Sequence, residues 1–143
     1  MFMGEYQHNI DAKGRVIIPS KLRENLSGTF IVTRGLDKCL FIYDRKRWED
    51  IIGKLKELPW TDPDVRRFAR FFTAGAVECS FDSQGRILIP QNLREHAMLD
   101  KLIVTIGVVD RIEIWNKALW DDYNNEENFI NNGFAEKMAA LGI

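Results

Sequence analysis

The segment Asp11-Ala-Lys-Gly-Arg-Val-Ile-Ile-Pro-Ser-Lys-Leu-Arg-Glu24 returns 71 positions later as Asp82-Ser-Gln-Gly-Arg-Ile-Leu-Ile-Pro-Gln-Asn-Leu-Arg-Glu95, with eight identities in the nineteen pairs from Tyr6/Val77 to Glu24/Glu95. One inserted residue raises the offset to 72. The likeness then continues from Ile31-Val32-Thr33 and Gly35 onto Ile103-Val104-Thr105 and Gly107, and from Ile42 and Trp48 onto Ile114 and Trp120. A chain built this way folds as two copies of one supersecondary unit, each marginal alone. The repeated positions include charged side chains, which a shared apolar pattern does not require.

A chain of 143 residues, 45% of them hydrophobic, lies in the size range of one domain with a real core. The expected organisation is a first repeat over 5–48, a helical linker over 49–75, a second repeat over 76–120 and an acidic helical tail over 121–143, the repeats forming one globular unit. No apolar run approaches the ~18–20 residues of a membrane span, and the start lacks the basic end and apolar stretch of a signal peptide, so a cytoplasmic location is expected. Cys39 and Cys79 are isolated thiols, and with only His8 and His96 beside them there is no metal-ligand spacing. Buried free cysteines are expected, with no metal and no cofactor.

Punctuation sets the elements. Glu5–Ile10 reads as a strand, 11–14 as a turn, and Arg15–Ile18 as a short strand that Pro19 ends by removing a donor. Ser20 is then placed to cap a short helix. Strands follow at Thr29–Arg34 and Cys39–Tyr43, with counterparts near 76–81, 86–89, 102–106 and 111–115. Helices are expected over Arg47–Leu58 and, after an Asp62 cap and Pro63, over Asp64–Thr73, stopping at Gly75. Asn124-Asn125 and Asn131-Asn132-Gly133 break the tail into two weak helical stretches. The whole is an α+β fold, mainly β.

The net charge of −1 hides an asymmetry. Residues 6–48 carry nine Lys/Arg against four Asp/Glu, 76–120 carry five against six, and the 121–143 tail is −4. A cationic first repeat points to a polyanionic partner on one face. Arg15 and Arg86 sit in the repeated motif, and a planar, always-charged guanidinium matches phosphate oxygens or the O6/N7 edge of guanine. Asp11 and Asp82, four residues earlier across turns closed by Gly14 and Gly85, would each hold their Arg in one rotamer. As a purely structural feature, each pair would be a surface salt bridge worth ~0–1 kcal/mol. Lys13, Lys21 and Arg23 surround the first motif, whereas Gln84 and Asn92 replace two of them in the second. Arg66, Arg67 and Arg70 fall opposite Phe68, Phe71 and Phe72, giving an amphipathic linker helix that offers material for a subunit interface. Trp48, Trp60, Trp115 and Trp120, with Phe41 and Tyr43, are read as packing aromatics of the core or a subunit interface.

The paired Asp-x-x-Gly-Arg motifs with Pro four residues on, together with Arg34-Gly-Leu-Asp37, Ala74-Gly-Ala-Val-Glu-Cys79 and Arg70-Phe-Phe, resemble the MraZ family. These are bacterial cell-division-cluster regulators within the AbrB/SpoVT/MazE swapped-hairpin superfamily. The resemblance covers essentially the whole chain. It implies duplicated AbrB-like barrel halves with pseudo-two-fold symmetry, plus linker and C-terminal helices. It further implies binding of double-stranded DNA at short repeated operators in the cell-division and cell-wall gene cluster, the chain's own operon included, assembly into a closed homo-oligomeric ring, and association with the nucleoid. Carried over by position, the motif falls on Asp11, Gly14 and Arg15, and on Asp82, Gly85 and Arg86.

Two other classes compete. Asp11 and Asp82, related by internal symmetry, could form an acid dyad of a hydrolase, but an Arg four residues after each would keep both ionised and prevent proton sharing. No phosphate-binding loop, nucleophile elbow or His-Glu-x-x-His string is present, so no enzymatic activity is expected. An antitoxin would share the DNA-binding unit and use the 121–143 tail to hold a toxin.

Overall fold

The computed structural model describes residues 1–125, 127 and 133–143. Strand β1 (Glu5–Asn9) turns through 11–14 into β2 (Arg15–Ile17), followed by helix α1 (Ser20–Arg23), β3 (Phe30–Arg34) and β4 (Leu40–Asp44). Helices α2 (Arg45–Lys56) and α3 (Pro63–Ala74) link this half to its copy. The copy comprises β5 (Val77–Cys79), β6 (Arg86–Leu88), α4 (Gln91–His96), β7 (Leu102–Val108) and β8 (Arg111–Asn116), followed by α5 (Lys117–Tyr123) and α6 (Phe134–Ala140). The Asn131-Asn132 break lies outside the described residues.

Side-chain caps explain the helix starts. The Asp44 carboxylate accepts from the Arg47 backbone N–H at 2.7 Å, which starts α2 two residues before the expected Arg47. Asp62 accepts from the Asp64 N–H at 2.9 Å ahead of α3, as its sequence indicated. Ser20 does not cap α1. Pro19 holds that position with φ −53° and ψ 139°, and no side chain bonds to the first turn. The fixed φ of proline substitutes for a capping hydroxyl here.

Six strands form one sheet in the order β1-β7-β8-β4-β3-β5, while β2 and β6 pair as a separate two-stranded ribbon. Exchanging every strand for its counterpart in the other repeat reverses the six-strand order and reproduces it, so a pseudo-two-fold axis runs between β4 and β8. The edge strands are swapped: β1 pairs with β7 of the second repeat and β5 with β3 of the first. At the β4–β8 junction Phe41 faces Glu113, its own counterpart 72 residues on, between the pairs Leu40/Ile114 and Ile42/Ile112. In the ribbon, Val16 faces its own counterpart, Ile87. The axis passes through both self-pairs.

Strand register corrects one part of the sequence alignment. Phe30 pairs with Asp44, and Ile103 pairs with Asn116; Asn116 is 72 residues beyond Asp44, but Ile103 is 73 beyond Phe30. Phe30, Val32 and Ile103 share one core, whereas Val104 and Ile106 belong to the other. The letter match of Ile31-Val32-Thr33 to Ile103-Val104-Thr105 is therefore one residue out of structural step. Side chains alternate along a strand, so an offset of 72 would have put counterparts on opposite faces of the sheet.

Two apolar clusters lie on the two faces of this sheet. The larger joins Phe30, Val32, Leu40, Ile42, Ile103, Ile112 and Ile114 to the underside of the ribbon (Val16, Ile18, Ile87, Ile89) and to Leu22 and Leu93 of α1 and α4. The second stacks Phe41, Tyr43, Val104, Ile106 and Trp115 against Phe72 of α3, with Trp48, Phe68, Leu119 and Trp120 at its margin. The apolar side of α3 thus packs against the sheet through Ala69 and Phe72, with Phe68 and Phe71 half-buried. Trp60 is 58% exposed and does not join the core. Cys39 is buried and Cys79 half-buried, both as free thiols, and burial raises the pKa of each. Leu40 is wholly buried at the junction of the halves, so Leu40→Ala is expected to destabilise the fold by about 2–5 kcal/mol in denaturant unfolding.

Candidate nucleic-acid interface

Both motif loops have the same geometry. In the first, Asp11 Oδ1 accepts from the backbone N–H groups of Lys13 (3.0 Å) and Arg15 (2.8 Å), while Oδ2 accepts from Arg15 Nε at 2.6 Å. In the second, Asp82 Oδ1 accepts from Gln84 and Arg86 N–H, each at 2.9 Å, and Oδ2 accepts from Arg86 Nε at 2.8 Å. The turns close through Gly14 N–H to Asp11 C=O and Gly85 N–H to Asp82 C=O, both at 3.0 Å. Their glycines have φ of 88° and 74°, in the left-handed region. One carboxylate therefore organises its turn and also fixes its arginine by Nε, an arrangement that does not use the two terminal nitrogens of the guanidinium fork.

These bonds hold both carboxyls below the ordinary carboxylate value. The largest cause is the backbone N–H of Arg15 for Asp11 and of Arg86 for Asp82, opposed by partial desolvation and reinforced by the guanidinium. No bond joins Asp11 to Asp82 among the described residues; each is engaged within its own loop, unlike a proton-sharing dyad. Nor is any group of three or more potential metal-ligating side chains found among the described residues.

The ribbon brings the two motifs together. Arg15 pairs with Leu88 and Ile17 with Arg86 across the strands, so these four side chains share the outer face while Val16 and Ile87 point into the core. Arg15 and Arg86 occupy a cross-strand diagonal, with Cα atoms about 7–8 Å apart by strand geometry. Lys13 is exposed in the first loop and Lys21 on α1. Arg23 lies elsewhere than expected: its guanidinium covers Gly85, in the second repeat's loop, where a Cβ would overlap it. Reciprocally, a Cβ on Gly14 would come within 2.8 Å of Arg94 Nε and of the Ile89 carbonyl oxygen. That Arg94 Nε is buried and has no hydrogen-bond partner among the described residues. Backbone bonds complete the crossing, from Ile89 N–H to Gly14 C=O at 2.8 Å and from Ile18 N–H to Gly85 C=O at 3.3 Å.

Sequence reasoning missed Ile17, Leu88 and Arg94. Ile17 and Leu88 sit in unbroken apolar runs, where only the period-2 alternation of a strand separates them from their inward-facing neighbours Val16, Ile18, Ile87 and Ile89. Arg66 of the linker helix donates to the Trp60 carbonyl at 2.9 Å, while Arg67 and Arg70 stay exposed.

Duplicated halves, swapped edge strands and a shared arginine-bearing ribbon define a swapped-hairpin protein fused in tandem. A family model described as "MraZ protein, putative antitoxin-like" matches residues 1–71 and again 72–141, and the chain belongs to the MraZ family. It is 59% identical to the transcriptional regulator MraZ of Acetivibrio thermocellus, 55% to that of Alkaliphilus oremlandii and 54% to that of a Thermoanaerobacter species, each over 143 residues and the full length of both chains. The family is one of transcriptional regulators. No helix among the described residues is long and apolar enough to cross a membrane.

Two outcomes follow from this geometry. Gly85→Ala should cost about 1–2 kcal/mol from its left-handed φ, plus the overlap with Arg23, so adding Arg23→Ala should relieve part of the loss in a double-mutant thermal-unfolding cycle. In an NMR titration the Asp11 carboxyl should have a midpoint below that of a free aspartate. The ionised carboxylate organises the loop, so loop order is full above the ordinary carboxylate value and lost as pH falls through the lowered one. Arg15→Ala should move the midpoint upward.

Proposed function

We propose that this protein is a sequence-specific DNA-binding transcriptional regulator that lays the β2–β6 ribbon in the major groove. A groove about 12 Å wide admits a two-stranded ribbon, and Arg to guanine O6/N7 is the commonest specific contact made there. The observation that carries this reading is that Arg15 and Arg86, each fixed by its own aspartate, stand on one exposed face made by both repeats. Lys13 and Lys21 neutralise phosphates beside the first loop. Arg23 acts through Gly85, supporting the second loop, and Asp11, Asp82, Gly14 and Gly85 orient the arginines.

The targets are short repeated operators in the cell-division and cell-wall gene cluster, including the chain's own operon, bound by a closed homo-oligomeric ring at the nucleoid. One ribbon with two base-reading arginines binds weakly at physiological salt, whereas several in a ring make later contacts intramolecular, raising avidity by about 10²–10⁴. Apolar side chains available for such contacts include Met1, Met3 and Val109, all exposed where Phe2 bridges to Val109.

Titration against operator DNA tests this. Arg15→Ala and Arg86→Ala should each abolish most specific binding with unchanged circular dichroism, and Asp11→Asn should weaken binding less than Arg15→Ala. Log affinity should fall with log salt at about −0.9 per neutralised phosphate, and Lys13→Ala should reduce that slope by about one without changing sequence preference. Undiminished affinity in the arginine variants would reject the proposal.

A further inference from the structure

We infer that Ile17 and Leu88 are base-reading residues, each seated against the 5-methyl group of a thymine beside a guanine held by the arginine across the ribbon. This inference rests on the reading that the ribbon enters the major groove. Ile17 is 53% and Leu88 58% exposed, and they are counterparts 71 residues apart. Neither joins either apolar cluster, although the side chains flanking each of them, Val16, Ile18, Ile87 and Ile89, are nearly or wholly buried. The fold therefore uses their neighbours and leaves these two in water at the same place in both repeats.

Their setting explains why. Ile17 stands opposite Arg86 and Leu88 opposite Arg15, with Cβ atoms about 4.5–5.5 Å apart in such cross-strand pairs. Stacked bases repeat about every 3.4 Å along a strand, so an arginine and the aliphatic facing it reach neighbouring base pairs. The thymine methyl is the apolar feature of the major-groove edge, and apolar side chains recognise it by contact. Both aliphatics stand on a ribbon anchored to the core, and Ile17 is further restricted at χ1 by β-branching, so little side-chain freedom is lost on docking.

The test begins with selection of binding sites from a random duplex library by the intact protein. Replacing individual thymines of a selected site by deoxyuridine removes only the methyl group. Affinity should fall roughly fourfold at one thymine per aliphatic, the effect expected for one methyl group returned to water. Ile17→Ala should erase the loss at one position and Leu88→Ala at the other, with guanine preference retained in both variants. Because both side chains are exposed, the truncated proteins should fold normally. Uracil substitution without effect on the unmutated protein would overturn the inference. So would an equal loss in the alanine variants, which would assign the methyl effect to DNA shape or to another residue. Failure of the unmutated protein to enrich any duplex would instead overturn the DNA-binding reading itself, and full enrichment by Arg15→Ala would overturn the placing of the ribbon in the groove.

Discussion

Neither half of this chain contains a complete sheet. The edge position beside β7 is filled by β1, and the one beside β3 by β5, so each repeat lends its first strand to the other. The ribbon depends on the same exchange. Its underside, Val16 and Ile87, closes the larger core from above, and each of its glycine turns is bonded to the strand end leaving the other repeat. Arg23 and Arg94 repeat the crossing at side-chain level by covering the partner loop's glycine. The outer face carrying Arg15 and Arg86 is thus set by contacts between halves, and a separated repeat would have neither its core nor its arginines in place.

The self-pair at the β4–β8 junction is a consequence of joining the halves in one chain. In a symmetric dimer a residue on the axis faces its own copy, so a glutamate there would face a glutamate. Here the counterpart of Glu113 is Phe41, and the site has been filled unsymmetrically. Glu113 is almost wholly buried, accepting from Arg111 Nε at 2.8 Å and from Trp115 Nε1 at 2.9 Å. The same Arg111 lies 4.4 Å from the centroid of the Phe41 ring. A buried carboxylate with two donors is tolerated where an unpaired one would be expelled or protonated.

Most strands were readable because proline, glycine and β-branched runs mark them locally. The Asp–Arg pairing was readable because it spans four residues. What escaped reading depended on contacts distant in sequence. The one-residue step between β3 and β7 is decided by which core each face meets, and identical letters at Ile31-Val32-Thr33 and Ile103-Val104-Thr105 concealed it. Arg23 adjoins the first motif in sequence but serves the second in space, because the crossing of the repeats cannot be inferred from spacing. Ile17 and Leu88 sit within short apolar runs whose hydrophobicity alone does not say which members face inward.

The ribbon's two ends are alike in backbone and unlike in charge. Lys13 and Lys21 belong to the first loop and helix, while Gln84 and Asn92 stand at the matching places of the second. A two-fold symmetric reader sees a palindrome and has no preferred way round on it. This ribbon has a head and a tail, so if it enters the groove as proposed, an asymmetric half-site would fix its heading along the duplex, and the proposed subunits on tandem copies would all face the same way.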